Sequence, residues 1–169
     1  MNIFVHKIIK NIFSTDQCNS LIEIASSNLS EKVVTHTGQE ISRSYQNEKW
    51  KYYFTRLHKT DIQQHFETVD KKLPEYEIIS FRTMHYPAGA MIGRHTDSYM
   101  KEDGESNTGF IIQLTDPNFY GGGYLRMANE LIELDQGDAV LYSYDTPHEV
   151  TKVKSGNRWI ASIRLLLKR

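Results

Sequence analysis

Residues 138–167 read DAVLYSYDTPHEVTKVKSGNRWIASIRLLL, and this stretch decides the fold. Segments 138–144, 147–153 and 158–167 are short and rich in Ile, Val, Tyr and Leu, with Ser155-Gly156-Asn157 as a turn before the last of them. Apolar runs of this length, bounded by turn residues, are strands rather than helices. The same grammar extends backward through segments 76–86, 91–97, 108–115, 122–127 and 131–134. Pro87-Ala88-Gly89, Asp116-Pro117-Asn118, Gly121-Gly122-Gly123 and Gln136-Gly137-Asp138 separate them. About eight strands in roughly ninety residues predict a mainly β fold, because alternating strand and helix units would need more chain between strands. The expected architecture is a two-sheet antiparallel jelly roll, or double-stranded β-helix, with its core at residues 76–167.

The chain before Pro74 reads differently. Residues 2–12 alternate loosely and predict a first strand. Ser14 is an N-cap with Gln17 as its capping-box partner, and Leu21, Ile22, Ala25 and Leu29 continue a helix to about Ser30. Residues 31–50 are polar and mixed, and carry no assignment. Trp50, Tyr52, Tyr53 and Phe54 form an aromatic cluster, either a strand or an exposed binding rim, with core packing the favoured use. Ile62, Phe66, Val69 and Leu73 repeat at helical spacing over residues 60–72, and Pro74 stops them. The expectation is one domain over residues 1–169, whose helical part at 1–75 lies against one outer face of the roll.

Composition narrows the function classes. A chain of 169 residues is long enough for one core and too short for a second catalytic domain. Twenty Lys plus Arg against 21 Asp plus Glu give a formal net charge of -1, so no global field draws the chain to nucleic acid or an anionic membrane. The single cysteine, Cys18, excludes an intrachain disulfide and reads as an inert core thiol on the first helix. The opening MNIFVHKIIKNIF lacks a secretory pattern, and nowhere do eighteen apolar residues run together. These readings predict a cytoplasmic protein with no membrane partner.

The chemistry is concentrated in His95-Thr96-Asp97, His148 and Arg158. On a strand, residues i and i+2 share a face, so His95 and Asp97 reach one metal while Thr96 points away. His148, from a later strand start, completes two imidazoles and one carboxylate. That is the ligand set of a non-haem Fe(II) site with open positions for co-substrate and O2. A bare His-x-Asp arises often by chance; the combination with His148 and Arg158 carries the reading. Arg158 is inward in an otherwise apolar strand, which is costly without an anion. That anion is either the far carboxylate of a metal-chelating diacid or a protein carboxylate such as Asp138 or Glu149. Arg164 falls nominally on the same face.

These residues resemble the 2-oxoglutarate and Fe(II)-dependent dioxygenases, in particular the prolyl 4-hydroxylase type. The motifs are Tyr86-Pro-Ala-Gly89 through His95-Thr-Asp97, Tyr120-Gly-Gly-Gly123-Tyr-Leu, and His148 through Gly156-Asn-Arg158-Trp159, and the likeness covers about residues 78–165. The resemblance implies His95, Asp97 and His148 as iron ligands, and Arg158 and Tyr86 as the 2-oxoglutarate contacts. His95, Asp97, His148 and Arg158 form the implied catalytic set. Ile92 and Ile112 stand where relatives place further co-substrate tyrosines. The implied cofactors are Fe(II), 2-oxoglutarate and O2, with ascorbate as a candidate reductant. The implied partner is a prolyl residue in a peptide or protein substrate, with Trp50, Tyr53, Arg94 and Tyr99 shaping a groove and residues 98–107 forming a flap. A free amino acid or small metabolite is the enzymatic rival. Nucleobase dealkylation is weaker, because only ten residues separate His148 from Arg158 and the charge is balanced. A non-catalytic metal-binding jelly-roll module is the alternative of a different class, with His85 as the histidine nearest the set in sequence.

Overall fold

The computed structural model describes residues 6–27, 32–34, 40–41, 50–98 and 108–168. β1 (His6–Ile9) leads into α1 (Thr15–Ser27). The capping box closes α1 as its sequence demands. Ser14 Oγ accepts from the Gln17 N–H at 3.1 Å, and Gln17 Oε1 accepts from the Ser14 N–H at 3.0 Å. Two strands follow where the sequence carried no signal, β2 (Lys32–Val34) and β3 (Glu40–Ile41), and β4 (Trp50–Lys51) opens the aromatic cluster read as a strand or a rim. Pieces of two or three residues are too short to show a period. β5 (Tyr53–Arg56) and α2 (Gln63–Lys72) complete the N-terminal part, and α2 ends at Leu73, before Pro74. This part therefore contributes strands as well as helices.

The roll proper comprises β6 (Tyr76–Pro87), β7 (Met91–His95), β8 (Thr108–Gln113), β9 (Tyr120–Gly122), β10 (Leu125–Met127), β11 (Glu130–Ile132), β12 (Ala139–Ser143), β13 (His148–Val150) and β14 (Val153–Leu167). All described pairings are antiparallel. The larger sheet runs β1-β12-β8-β14-β6-β5-β2-β3, with β9 attached to β14, and the smaller runs β11-β10-β13-β7-β4. The fold is a double-stranded β-helix, with helices on one face of the larger sheet.

Alternation along β14 and β8 separates two cores. Trp159, Ala161, Ile163 and Leu165, with Phe110, Ile112 and Leu114, face the helices and pack on Cys18, Leu21, Ala25, Ile62 and Val69. Ile160 and Ile111 face the other way, between the sheets, with Tyr52, Phe54, Met84, Tyr86, Ile92 and Tyr142. Tyr52 and Phe54 thus serve the core, as favoured for that aromatic cluster, whereas Tyr53 lies on the opposite face beside His85. Tyr53 does not line the interior of the roll. The Cys18 thiol is buried, and burial pushes its pKa up to about 12, which suits an inert core group.

Two expectations about strand ends change. Ser155-Gly156-Asn157 is no turn: β14 runs straight through it, pairing first with β9 and then, from Asn157, with β6. Gly156 allows this switch through its φ of 73°, and a Cβ there would lie 2.4 Å from the Phe119 carbonyl oxygen. Segment 122–127 is broken into β9 and β10, since Gly122 and Gly123 adopt φ of 70° and 63°. Among the described residues, no helix is long and apolar enough to cross a membrane.

Candidate active site

The site is built by the smaller sheet. β7 ends on His95, β13 begins on His148, and the two are register partners, which sets their rings 4.2 Å apart between centroids. Asp97 lies just beyond β7, where its N–H donates to the Tyr144 carbonyl at 2.9 Å and turns its carboxylate back toward the histidines. One ligand atom from each of His95, Asp97 and His148 falls within 4.8 Å of the others. Among the described residues this is the one such cluster. His85 is not part of it. Its ring stacks on Trp159 at 4.1 Å on the helix-side face of the sheet, with Nε2 2.8 Å from Asn157 Oδ1.

Hydrogen bonds set the orientation of both imidazoles. His95 Nδ1 lies 2.9 Å from the Gly93 carbonyl and His148 Nδ1 lies 2.9 Å from the Thr146 carbonyl, so each Nδ1–H donates to backbone. Each Nε2 is thereby turned to the centre, 3.4 Å and 3.6 Å respectively from Asp97 Oδ1 and Oδ2. Burial pulls the His148 pKa down, favouring the neutral ring that a metal requires. Burial opposes ionisation of Asp97, but its contacts with His95 and His148 and the hydrogen bond from the Tyr142 hydroxyl outweigh it and hold the carboxyl below the usual range. Such a donor set, two oriented imidazoles and one ionised carboxylate, fits a divalent transition metal.

Tyr142 is a member of the site that the sequence reading missed. Its hydroxyl donates to Asp97 Oδ2 at 2.7 Å, and its ring edge meets His148 at 5.0 Å. Gly109, its register partner on β8, makes the room: a Cβ at 109 would sit 2.2 Å from the Tyr142 ring. Period-two alternation from Val140 would have placed Tyr142 inward, but a tyrosine at an inward position usually reads as core.

Arg158 and Tyr86 are register partners on β14 and β6. Arg158 is 2% exposed, and its Nε and Nη1 are buried with no hydrogen-bond partner. The guanidinium carbon lies 5.3 Å from the centroid of the Tyr86 ring, which in turn stacks on Tyr52. The protein carboxylate alternatives do not pair with it. Asp138 accepts from Lys10 Nζ at 2.7 Å instead, and Glu149 makes no ion pair with Arg158. An orphaned, buried, permanently charged fork fits an absent anion. His95, Asp97, His148, Arg158, Tyr86 and a second arginine, Arg82, line one cavity. A wider groove of roughly 610 Å³ opens beside the Gly121–Gly123 loop and touches Arg158, but none of the three candidate ligands lines it.

Other expected members fall elsewhere. Ile92 lines the cavity, as its place on β7 implies, whereas Ile112 faces the helices and Ile111 takes the inward position. The one-residue difference matters because side chains alternate. Arg164 does not line the cavity, and its Nε donates to the Tyr144 hydroxyl at 3.1 Å. Arg94 is exposed. Tyr99, the side chain of Trp50 and residues 99–107 of the expected flap lie outside the described residues.

Comparison with known proteins places this geometry. A family model described as the 2OG-Fe(II) oxygenase superfamily matches residues 81–163. A PKHD-type hydroxylase of Prochlorococcus marinus (strain MIT 9301) is 35% identical over 92 residues, covering 49% of this chain and 39% of that protein. One from Parvibaculum lavamentivorans is 33% identical over 87 residues, covering 46% and 40%. The matched stretch thus spans about two fifths of the length of these relatives. Among solved structures, a viral collagen prolyl hydroxylase from Paramecium Bursaria Chlorella virus-1 superposes with a TM-score of 0.70 at 15% identity, covering 97% of each chain. A Trichoplax adhaerens prolyl hydroxylase, in complex with a hypoxia inducible factor peptide, gives 0.73 at 14% identity, covering 98% of this chain and 84% of that one. A Pseudomonas putida prolyl-4-hydroxylase gives 0.67 at 16%, covering 98% and 94%. The fold is therefore of the prolyl 4-hydroxylase type, and residues 81–163 match the pattern of the 2OG-Fe(II) oxygenase superfamily.

Proposed function

We propose that the protein is a 2-oxoglutarate- and Fe(II)-dependent hydroxylase whose substrate is a prolyl residue in a peptide or protein. The observation that carries this reading is a single cavity holding His95, Asp97 and His148 together with the buried, unpaired Arg158. The name of the matched relatives supports a hydroxylase, and the solved prolyl hydroxylases of the same fold, one of them holding a peptide, support the substrate class.

In this reading His95 Nε2, His148 Nε2 and the Asp97 carboxylate hold iron, while Arg158 meets the far carboxylate of 2-oxoglutarate. Bound together with O2, that pair supplies the oxidising power to hydroxylate an unactivated carbon, with succinate and CO2 released. The protein's share is position, counter-charge and dryness. The Gly93 and Thr146 carbonyls keep protons on both Nδ1 atoms, so both Nε2 lone pairs stay available. Tyr142 holds the Asp97 carboxylate in one rotation. The Tyr86 ring packs against the guanidinium and limits its reach. Met84, Ile92, Ile111 and Ile160 form an apolar wall that excludes water from the cavity. With Ile92 where relatives carry a tyrosine, that wall offers no hydroxyl there, and Arg158 bears more of the co-substrate binding.

The test is to load the protein with iron without oxygen and add 2-oxoglutarate with a panel of proline-rich peptides, free proline, other amino acids and alkylated oligonucleotides. Air is then admitted, with and without ascorbate. A mass gain of one oxygen on a prolyl peptide is the expected outcome. Gain confined to oligonucleotides, or no oxygen uptake under any condition, rejects the reading.

A further inference from the structure

Among the described residues, the cavity is lined by one more cation than its carboxylates balance. Arg82 lies on β6 four residues before Tyr86, on the same inward face, and lines the cavity with the three candidate ligands. Its register partners are Ser162 on β14 and Arg56 on β5, so neither neighbouring strand presents a carboxylate opposite it. Arg82 Nε is buried without a hydrogen-bond partner, and the guanidinium makes no ion pair among the described residues. Its described contact is the Phe54 ring, 5.8 Å from the guanidinium carbon. Asp97, the one carboxylate among the described residues that line the cavity, is already engaged by His95, His148 and Tyr142.

Charge balance then distinguishes the two arginines. In the reading above, a ferrous dication and a 2-oxoglutarate dianion cancel, and Asp97 cancels one guanidinium. The other guanidinium is left uncompensated in a cavity with an apolar wall, where an unpaired charge is costly. Arg158 is the more deeply buried, whereas Arg82 is half-buried and nearer solvent. Their Cα positions are four strand residues apart, about 13 Å, which marks two anion positions rather than one.

We infer that Arg82 is a specificity-determining residue that receives a carboxylate carried by the substrate itself. The inference rests on the hydroxylase reading and sharpens its substrate class. An internal prolyl residue flanked by neutral residues brings no such charge. A carboxylate does come with a chain-terminal residue, a free amino acid, or an acidic side chain next to the target. The shared requirement is an anion a few bonds from the hydroxylated carbon, paired to a guanidinium through charge-assisted hydrogen bonds.

The experiment uses the full chain loaded with Mn(II) and 2-oxoglutarate in the absence of oxygen, titrated calorimetrically with matched ligands. These are a peptide ending in proline with a free carboxylate and its amide, free L-proline and L-prolinamide, and an internal-prolyl peptide with an adjacent Asp and its Asn counterpart. In at least one pair the acid should bind about tenfold or more tighter than its neutral partner, and the pair that discriminates identifies the source of the carboxylate. Arg82→Gln should reduce that preference to about twofold or less while moving the 2-oxoglutarate dissociation constant by less than about twofold. Its thermal midpoint should fall little, because no described hydrogen bond or ion pair is lost and only the Phe54 ring contact goes. If Arg82→Gln does unfold, Arg82→Lys carries the same comparison, with the acid preference reduced and the charge retained. Equal binding of acid and neutral ligands by the unmodified protein overturns the inference. So does a loss that falls on 2-oxoglutarate instead of on the acid, which would assign Arg82 to the co-substrate. Oxygen uptake in air with Fe(II) and 2-oxoglutarate is measured in parallel: its absence defeats the hydroxylase reading, whereas uptake with indifference to the carboxylate defeats this inference alone.

Discussion

Arg158 shows most plainly how a single side chain can specify a missing partner. It is among the largest fully buried side chains of the protein, and two of its nitrogens have no acceptor. Replacement by alanine should raise the 2-oxoglutarate KM by roughly tenfold to a hundredfold, matching about 1.5–3 kcal/mol for hydrogen bonds to a charged group, and leave metal affinity nearly unchanged. Steady-state kinetics beside a metal titration check this, and equal losses in both would make Arg158 structural. Tyr142 acts through another residue. Tyr142→Phe removes the donor 2.7 Å from Asp97 Oδ2 and little volume. Metal affinity should fall by about tenfold to a hundredfold, as when other partners of metal ligands are removed, with the 2-oxoglutarate requirement much less affected.

At the scale of elements, the site depends on how neighbouring strands meet. β8 and β12 bring Gly109 opposite Tyr142, and Gly109→Ala would force the ring aside because the new Cβ lies 2.2 Å from it. The expected result is a stability loss of about 1–3 kcal/mol, as for overpacking elsewhere, together with weakened metal binding in the same direction as Tyr142→Phe. Denaturant midpoints and a metal titration measure the two parts. Asp138, just before β12, accepts from Lys10 Nζ and from the N–H groups of Asn11 and Asp135, and so ties the chain after β1 to the larger sheet. Burial pushes its carboxyl up, but these donors outweigh burial and hold it below the usual range. A depressed folded pKa stabilises above the unfolded value near about 3.9, and that stabilisation is lost as pH falls through the folded value. Asp138→Asn should therefore cost roughly 1–2 kcal/mol at neutral pH, with the gap to the unmodified protein closing in urea titrations carried below about pH 4. β6, β7, β8, β12 and β14 were legible because pieces of five residues or longer show their period and turn residues, and the three-residue β9, β10, β11 and β13 were legible only through the turn residues beside them. β2 and β3 were not, since pieces of two or three residues in a polar, mixed stretch carry no periodicity and take their conformation from pairing.

At the scale of the whole molecule, a pocket whose three candidate ligands come from β7, the bend after it and β13 exists only in the folded state. A divalent metal bound there should stabilise the fold by linkage, about 2.7 kcal/mol at a hundred times its dissociation constant. For a domain of this size that raises the thermal midpoint by roughly 5–10 °C. Differential scanning fluorimetry with Mn(II) checks it, and the shift should vanish in Asp97→Ala; a shift of equal size in that variant would move the metal elsewhere. The amino-acid order alone determined the mainly β roll, the capped first helix, the inward pairing of His95 with Asp97 and the inward Arg158, because each follows from local period, turn chemistry or capping. Tertiary structure decided that Tyr142 reaches Asp97, that Ile111 rather than Ile112 lines the cavity, that β14 runs unbroken through Gly156, and that Arg82 shares the cavity with Arg158. Those facts depend on the register between strands far apart in the chain, and register is set by packing of both sheet faces at once rather than by any single segment.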